Sequence, residues 1–286
     1  MSTTHHLPTD GADIVYDVQN RPIPDGGRPL LMIGQPMDAS GFATLASLFP
    51  ERTVVTYDPR GLGRSTRTDG RTDNRPETQA ADVHAVIEAL GAGPVDLFAS
   101  SGGAVTALAL VAAYPDDVVT LVAHEPPTVA VLPDAEAAAR ATDWMAELYQ
   151  QRGWGHGMAG FITMTSWPGE FTEEFFQLPA PDPTRFGMPA EDDGKRDDPL
   201  LSERSRPIID YAPDTTALHA APTRVVIAVG EETGDTFTGR TARAIAEKLG
   251  QEAAVFPSHH GGFLGGESGY AGKPEEFATR LREILG

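Results

Sequence analysis

The stretch DLFASSGGAVTAL, residues 96–108, joins a strand to a helix through a very sharp turn. The run Val95–Ala99 is typical of a buried strand, and the small-residue run Ala104–Ala113 predicts a helix that begins almost at once. Small residues at 100–103 allow the unusual backbone angles that so tight a turn requires. The stretch therefore predicts a strand–turn–helix unit, and it raises the question of whether one of its two serines is held out for chemistry.

The alternation of strand and helix continues on both sides of this turn. The further predicted strands are Ile14–Tyr16, Pro29–Ile33, Thr53–Tyr57, Val118–Ala123, Arg224–Val229 and Ala253–Phe256. The further predicted helices are Gly41–Phe49, Glu77–Leu90, Thr238–Leu249 and Glu275–Leu285. Short strands that are apolar throughout are buried on both faces, which is typical of parallel sheets. The fold class predicted is therefore α/β, with a mostly parallel central β-sheet flanked by helices.

The interval 133–218 interrupts this alternation and is rich in aromatic residues. These include Trp144, Trp154, Trp167, Phe175 and Phe176. Some of them form the core of an inserted helical cap, but a cap has too little interior to hide them all, so we expect several to line a ligand pocket. The predicted organisation is a core α/β domain in two parts, 1–132 and 219–286, with the helical cap at 133–218.

Composition excludes several classes of function. The formal net charge of -19 over 286 residues repels nucleic-acid backbones and anionic membrane surfaces. The chain has no cysteine, so disulfides and thiolate chemistry are excluded. The N-terminal segment lacks the features of a signal peptide, and no apolar run is long enough to span a bilayer. We expect a cytoplasmic protein without nucleic-acid or membrane partners; the sequence leaves homo-oligomer formation open.

Ser101 is the candidate nucleophile in the turn. The nucleophile-elbow pattern Gly-x-Ser-x-Gly is matched by ASSGG at 99–103, with alanine in place of the first glycine. In this register Ser101 lies at the start of the following helix, where free N–H groups and the helix dipole favour a developing negative charge. The simpler alternative is that Ser101 only caps the helix. The strand–turn–helix context favours the nucleophile.

Two adjacent histidines, His259 and His260, lie in a glycine-rich loop after the last predicted strand. A serine nucleophile needs a base that accepts its proton and returns it to the leaving group. A surface pair or a partial metal site is the alternative, but no other metal-ligating residue stands at short spacing from the pair. The sequence therefore predicts a catalytic imidazole, and it predicts neither a metal nor a cofactor.

Together, these motifs resemble those of the α/β-hydrolase family. The stretch Asp58–Ser65 adds to the resemblance, because DPRGLGRS is similar to the family's D-x-R-G-x-G-x-S turn, to which we assign a structural role. The resemblance covers nearly the whole chain outside the cap. It implies that His260 rather than His259 is the base, since the catalytic histidine of the family is usually followed by a small residue and then an apolar one.

The resemblance also implies an oxyanion hole built from the backbone N–H groups of Gly102 and Gln35. Pro36 has no N–H, so the donor from that loop must be Gln35 or a close neighbour. The Gln35 side chain either adds a second donor or faces solvent. We place Gly34 and Pro36 in the substrate pocket, together with the five cap aromatics named above.

The acid of the triad is the position at which the resemblance leaves alternatives. Most members carry it after the strand that is Arg224–Val229 here, where the expected position is Thr233 and the nearby acids are Glu232 and Asp235. A minority carry it one strand earlier, and AHEPP at 123–127 is similar to the His-Glu-x-Pro sequence of fungal zearalenone lactonases. Glu125 follows a buried strand at the ligand-binding edge, so we predict Glu125.

The resemblance implies a serine hydrolase that cleaves a carboxylic ester or lactone of a hydrophobic small molecule through an acyl-enzyme. Ser101, His260 and Glu125 form its predicted triad. Related triads hydrolyse C–C bonds or form peroxyacids, and some relatives are non-catalytic small-molecule receptors; the sequence does not exclude these alternatives. Epoxide hydrolysis and dehalogenation need an aspartate nucleophile, and the serine at position 101 argues against both.

Overall fold

The computed structural model describes residues 2–19, 27–267 and 269–286 of the chain. The strands are β1 (Ser2–Thr9), β2 (Ala12–Gln19), β3 (Leu30–Gln35), β4 (Val54–Tyr57), β5 (Thr66–Arg67), β6 (Val95–Ser101), β7 (Val118–His124), β8 (Arg224–Gly230) and β9 (Ala254–Phe256). The α-helices are α1 (Ala43–Ser47), α2 (Pro76–Leu90), α3 (Gly102–Ala113), α4 (Ala135–Arg152), α5 (Trp154–Thr165), α6 (Glu173–Phe176), α7 (Arg206–Ile209), α8 (Thr215–Ala220), α9 (Phe237–Lys248) and α10 (Pro274–Leu285). Short 3-10 helices cover Ala39–Phe42, Val129–Val131, Pro183–Phe186 and Glu203–Ser205.

The strands form one sheet in the order β1-β2-β4-β3-β6-β7-β8-β9, and β5 pairs with β2. From β4 to β9 along this order, neighbouring strands are parallel, whereas β2 is antiparallel to β1, β4 and β5. Parallel neighbours require crossover connections, which the helices supply. The predicted α/β class, with a mostly parallel sheet flanked by helices, is confirmed.

Two apolar clusters, one on each face of the sheet, form the core. Successive side chains of a strand point to opposite faces, and in β6 Leu97 and Ala99 pack into one cluster while Phe98 packs into the other. Helices α2, α3 and α9 contribute to the first cluster, and α1 and α10 contribute to the second. Burial on both faces explains why the central strands are continuous apolar runs in the sequence.

The carboxyl ends of the parallel strands bring distant parts of the chain to one edge of the sheet. β3 ends at Gln35 and β6 ends at Ser101, and these two residues are register partners. β7 ends at His124, whose register partner in β6 is Ser100. Ligands of open α/β sheets bind outside this edge. The topology therefore predisposes this edge to hold a functional site.

The turn Asp58–Ser65 makes its contacts within the scaffold. Arg60 is buried and forms two hydrogen bonds of 2.6 Å with the carboxylate of Asp82 on α2. The Ser65 hydroxyl donates to the carbonyl of Asp58 over 2.7 Å and accepts from the N–H of Val15 over 2.8 Å. These bonds join the turn to β2 and α2, which agrees with the structural role that we assign to it.

Helices α4 to α8 lie between β7 and β8 in the chain. Helices α4 to α7, with the loops beside them, build a third apolar cluster, which we call the cap cluster. Its buried members are Val129, Leu132, Ala138, Ala141, Met145, Tyr149, Met164, Phe171, Phe175, Leu201 and Phe237. Phe237 belongs to α9, so the cap cluster extends to the core domain. Leu218, at the end of the predicted cap, packs instead in the first core cluster.

Polar contacts also attach the cap to α9. Asp134, the residue before α4, pairs with Arg240 of α9. The Arg240 guanidinium donates a second hydrogen bond, of 2.7 Å, to the carbonyl of Gly169. Among the described helices, none has the length and apolar character that crossing a membrane requires.

Candidate active site

Ser101 occupies a strained turn between β6 and α3. Its backbone angles are φ 58° and ψ −130°, in a region that non-glycine residues rarely adopt. A Cβ atom at Gly102 would lie 2.9 Å from the carbonyl oxygen of Gln35, and one at Gly103 would lie 2.7 Å from the Cα of Gly34. Both glycines are therefore required for the close approach of α3 to β3. The side chain of Ser101 forms no capping hydrogen bond with α3, which argues against the capping alternative.

Glu125 and His260 form a short polar contact in the site. The Nδ1 of His260 lies 2.6 Å from Oε2 of Glu125, whose side chain is fully buried directly after β7. An ionised carboxylate can only accept a hydrogen bond, so at this distance Nδ1 carries the proton and donates to Glu125. In a neutral imidazole the other ring nitrogen, Nε2, then keeps its lone pair free to accept a proton.

Three other groups hold the Glu125 carboxylate. Its Oε1 accepts from the N–H of Gly230 over 2.8 Å and from the hydroxyl of Thr233 over 2.5 Å. Its Oε2 accepts from the hydroxyl of Thr238 over 2.7 Å. Burial raises the pKa of Glu125, but the hydrogen bond and charge of His260 and the bond from Thr233 hold the pKa well below its usual value. The carboxylate is therefore ionised.

His259, the alternative base, uses both ring nitrogens in other hydrogen bonds. Its Nδ1 accepts from the N–H of Gly261 over 3.1 Å, so the proton of the neutral ring lies on Nε2. That Nε2 lies 3.3 Å from the carbonyl oxygen of Ala271, to which it donates. The ring also stacks on Tyr270, with 4.2 Å between centroids. His259 thus has no free lone pair to accept a proton from Ser101.

Among the described residues, neither alternative acid forms a hydrogen bond or ion pair with His259 or His260. Glu232 forms an ion pair of 2.7 Å with Lys273. Asp235 has a side chain that is 80% exposed, and its charged partner is Arg243 at 3.5 Å. Of the three candidate acids, the structure brings Glu125 to His260. Thr233, at the usual family position, contributes its hydroxyl to that carboxylate.

A cavity of about 340 Å³ lies over the carboxyl edge of the sheet. Ser101, His260, Gln35, Gly102 and Pro36 all line it. No hydrogen bond joins Ser101 to His260 among the described residues, although both face this cavity. Such bonds are often long in the absence of a ligand and form when substrate binds. The cavity thus contains a candidate nucleophile, a base and the two residues of the predicted oxyanion hole.

The other predicted pocket residues lie elsewhere, and this corrects the sequence-based expectation. Neither Gly34 nor any of Trp144, Trp154, Trp167, Phe175 and Phe176 lines the cavity around Ser101. Gly34 packs under α3, as described above. Phe175 is a buried member of the cap cluster, and the other four pack against that cluster. Trp144, Trp167 and Phe176 meet the ring of Phe175 edge to face. Phe175 is buried, whereas the three tryptophans and Phe176 are half-buried at the edge of this cluster.

The cavity is lined instead by apolar side chains that the sequence analysis did not assign to it. Among them are Phe161, Met164, Leu200, Ile208 and Phe237. Phe161 and Met164 stand three residues apart on α5, so they share one face of that helix. This spacing is the feature of the sequence that could have identified both as pocket residues. The others lie in short segments or at a helix start, where no periodicity marks them.

The described residues contain no group of three or more His, Cys, Asp or Glu side chains arranged to hold a metal ion. A serine hydroxyl, an imidazole that is hydrogen-bonded to a carboxylate, and backbone N–H groups at a helix start can together support acyl transfer.

Comparisons of the sequence and of the structure with known proteins all find hydrolases. Residues 31–195 match the sequence profile of the alpha/beta hydrolase fold. The uncharacterized hydrolase YraK of Bacillus subtilis (strain 168) is 27% identical over 286 residues, covering 98% of this chain and 94% of YraK. A thermophilic esterase from Thermogutta terrifontis superposes with a TM-score of 0.64 at 20% identity, covering 99% of this chain and 98% of the esterase. Est816, described as an N-acyl homoserine lactone degrading enzyme, gives a TM-score of 0.59 at 19% identity, with coverage of 98% and 100%. At these identities the two solved structures show likeness of fold alone.

Proposed function

Because the chain belongs to the alpha/beta hydrolase fold family, we propose that it is a serine hydrolase that cleaves a carboxylic ester or lactone of a hydrophobic small molecule. The observation that carries the proposal is the 2.6 Å contact between His260 and the buried carboxylate of Glu125, in a cavity that Ser101 also lines. An imidazole oriented in this way is the base that a serine nucleophile requires.

In the first step, Ser101 attacks the substrate carbonyl while Nε2 of His260 takes the hydroxyl proton. Glu125 stays ionised, holds the proton of Nδ1 and stabilises the imidazolium that forms. The His260 ring then gives its proton to the leaving oxygen, and an acyl-enzyme remains on Ser101. In a lactone the leaving oxygen stays attached to the acyl group, so the ring opens without release of a fragment.

The negative charge of the tetrahedral intermediate falls beside the start of α3. The N–H of Gly102 is the first of that helix, so it has no partner within the helix and is available to the oxyanion. The second donor in the proposal is the backbone N–H of Gln35, which is buried at the end of β3 and lines the same cavity. His260 then takes a proton from a water molecule, which attacks the acyl-enzyme, and the proton returns to Ser101 as the acid product leaves.

The lining of the cavity supports an uncharged, apolar substrate. Phe161, Met164 and Phe237 offer carbon surface to an acyl or alcohol group. Glu232 also lines the cavity, and its charge is paired with Lys273. The esterase and the lactone-degrading enzyme among the structural neighbours act on substrates of the proposed class. A cytoplasmic location and the absence of nucleic-acid partners stay predictions of the sequence.

The test is a pre-steady-state burst with p-nitrophenyl butyrate. We expect one equivalent of p-nitrophenol per active site, followed by slower turnover, and a butyryl group on Ser101 in the trapped protein. Ser101→Ala should show no burst, while the matched control Ser100→Ala should keep it. A fluorophosphonate probe should label Ser101 alone. Label on Ser100, or an unchanged burst in Ser101→Ala, would overturn the proposal.

A further inference from the structure

His124 is a buried histidine that the proposed mechanism does not use. It ends β7 and has no exposed surface. Neither of its ring nitrogens has a hydrogen-bond partner among the described residues. The rings of Phe98, Phe256, Phe263 and Phe277 surround it, with centroids between 5.3 and 6.4 Å away. We call these four rings the aromatic box.

An imidazole is a costly side chain for this box. Its N–H donor and its lone pair both lose their hydrogen bonds to water on burial, whereas a phenylalanine would fill the same space without that penalty. Burial lowers the pKa of His124 to about 4, so the ring is neutral at neutral pH. A neutral imidazole without partners in an apolar box calls for a functional explanation.

The polar groups near His124 belong to the proposed catalytic machinery. Its Nε2 lies 4.0 Å from Oε1 of Glu125, beyond hydrogen-bond length. Its ring centroid lies 6.1 Å from that of His260, at an interplanar angle of 29°. The His259 imidazole, from the same loop as His260, also acts on it electrostatically. The other rings packed against His124 are those of the aromatic box, which carry no polar atom.

We propose that His124 is a positioning residue for Glu125: its neutral imidazole carries the proton on Nε2 and directs that N–H at Oε1 of the carboxylate. In surroundings without water, an N–H dipole acts on an ionised oxygen over such a distance. The dipole favours the carboxylate orientation in which Oε1 faces His124, Gly230 and Thr233. Oε2 then stays directed at His260. The effect on catalysis rests on the proposed function, but the tautomer does not.

The first experiment measures the tautomer in the intact protein. Histidine labelled with ¹⁵N reports, through the ring nitrogen shifts, which nitrogen carries the proton. We expect His124 to be neutral with the proton on Nε2 at pH 7. A proton on Nδ1, or a charged ring, would overturn the proposal. This measurement needs no turnover, so it decides the position of the His124 proton even if Ser101 proves not to be the nucleophile.

The second experiment follows the downfield proton of Nδ1–H in His260, which reports its hydrogen bond to Glu125. His124→Phe keeps the aromatic packing and removes both nitrogens. We expect this variant to shift or broaden the His260 signal, while the control Phe277→Leu, in the same aromatic box, leaves it in place. An unchanged signal in folded His124→Phe would show that His124 only fills space.

Kinetics with p-nitrophenyl butyrate complete the test. We expect His124→Phe to lower kcat about tenfold with KM within about twofold, since the loss concerns the catalytic geometry and not substrate binding. Its melting temperature should be equal to or above that of the parent protein. Phe277→Leu should lower the melting temperature and leave kcat unchanged. Equal kcat losses in the two variants would mean that packing alone matters.

Discussion

Thr233 donates its hydroxyl to Oε1 of Glu125 over 2.5 Å. These two residues hold the alternative positions for the acid, after β8 and after β7, and the structure brings both to one point beside His260. Besides His260, the carboxylate also accepts from the N–H of Gly230, at the end of β8, and from the hydroxyl of Thr238, in the first turn of α9. Residues 230–238 thus supply three of the hydrogen bonds, and the residue that follows β7 supplies the charge.

Glu125→Gln should lower kcat by about three to four orders of magnitude, as the loss of a triad acid can. The amide preserves the shape of the side chain but cannot stabilise the imidazolium, and it permits the wrong tautomer of His260. Circular dichroism should show an intact fold. The matched controls Glu232→Gln and Asp235→Asn should stay within about tenfold of the parent kcat. If Asp235→Asn abolishes activity while Glu125→Gln does not, the acid follows β8 instead.

Thr233→Asp should partly restore an enzyme that lacks Glu125. Because the Thr233 hydroxyl reaches Oε1 of Glu125, a carboxylate at position 233 lies close to the same imidazole. We expect Glu125→Ala/Thr233→Asp to gain at least about tenfold in kcat over Glu125→Ala alone. In the parent protein, Thr233→Asp should lower activity, since two carboxylates in contact cannot both remain ionised without cost. Thr233→Asn is the uncharged control; an equal gain from it would exclude the electrostatic explanation.

His260→Ala should lower kcat by at least about a thousandfold, whereas His259→Ala should cost less than about tenfold. The difference follows from the hydrogen bonds, since the Nδ1 of His260 is bonded to Glu125 and both nitrogens of His259 are bonded to the backbone of its own loop. The comparison uses p-nitrophenyl butyrate at saturating concentration. The opposite ranking would show that His259, and not His260, is the base.

Much of the fold could be predicted because its signals are local. The small residues at the elbow, the apolar strands and the late histidines identified the α/β-hydrolase family, and the family is confirmed. The strand β1 was missed because it is an exposed edge strand with the polar sequence STTHHLPT, which has no apolar period. The strand is defined by its antiparallel pairing with β2, which the sequence does not show.

The contents of the cavity were harder to predict than its position. Elbow, base and acid each follow a strand that ends at one edge, so topology brings them together. By contrast, the face that a cap helix turns to the core depends on packing between distant segments. The sequence does not distinguish an aromatic side chain in the cap interior from one in the pocket. In the structure, Trp144, Trp167, Phe171 and Phe176 pack edge to face on the ring of Phe175. His124 stands in the AHEPP stretch, but nothing in the sequence shows that its ring is enclosed by aromatic side chains and lacks hydrogen-bond partners.

The two groups of aromatic side chains should respond differently to truncation. Phe161 lines the cavity, so Phe161→Ala should lower kcat/KM for p-nitrophenyl hexanoate about tenfold and for the acetate less than about threefold, because the acetate is too short to use that wall. Phe175 is buried in the cap cluster, so Phe175→Ala should instead cost about 3–5 kcal/mol of stability and affect both esters by the same factor. Paired measurements of kcat/KM and melting temperature separate the two effects. If Phe175→Ala discriminates between the esters and Phe161→Ala does not, the cap aromatics form the substrate pocket after all, and the cavity over Ser101 is not where the acyl chain binds.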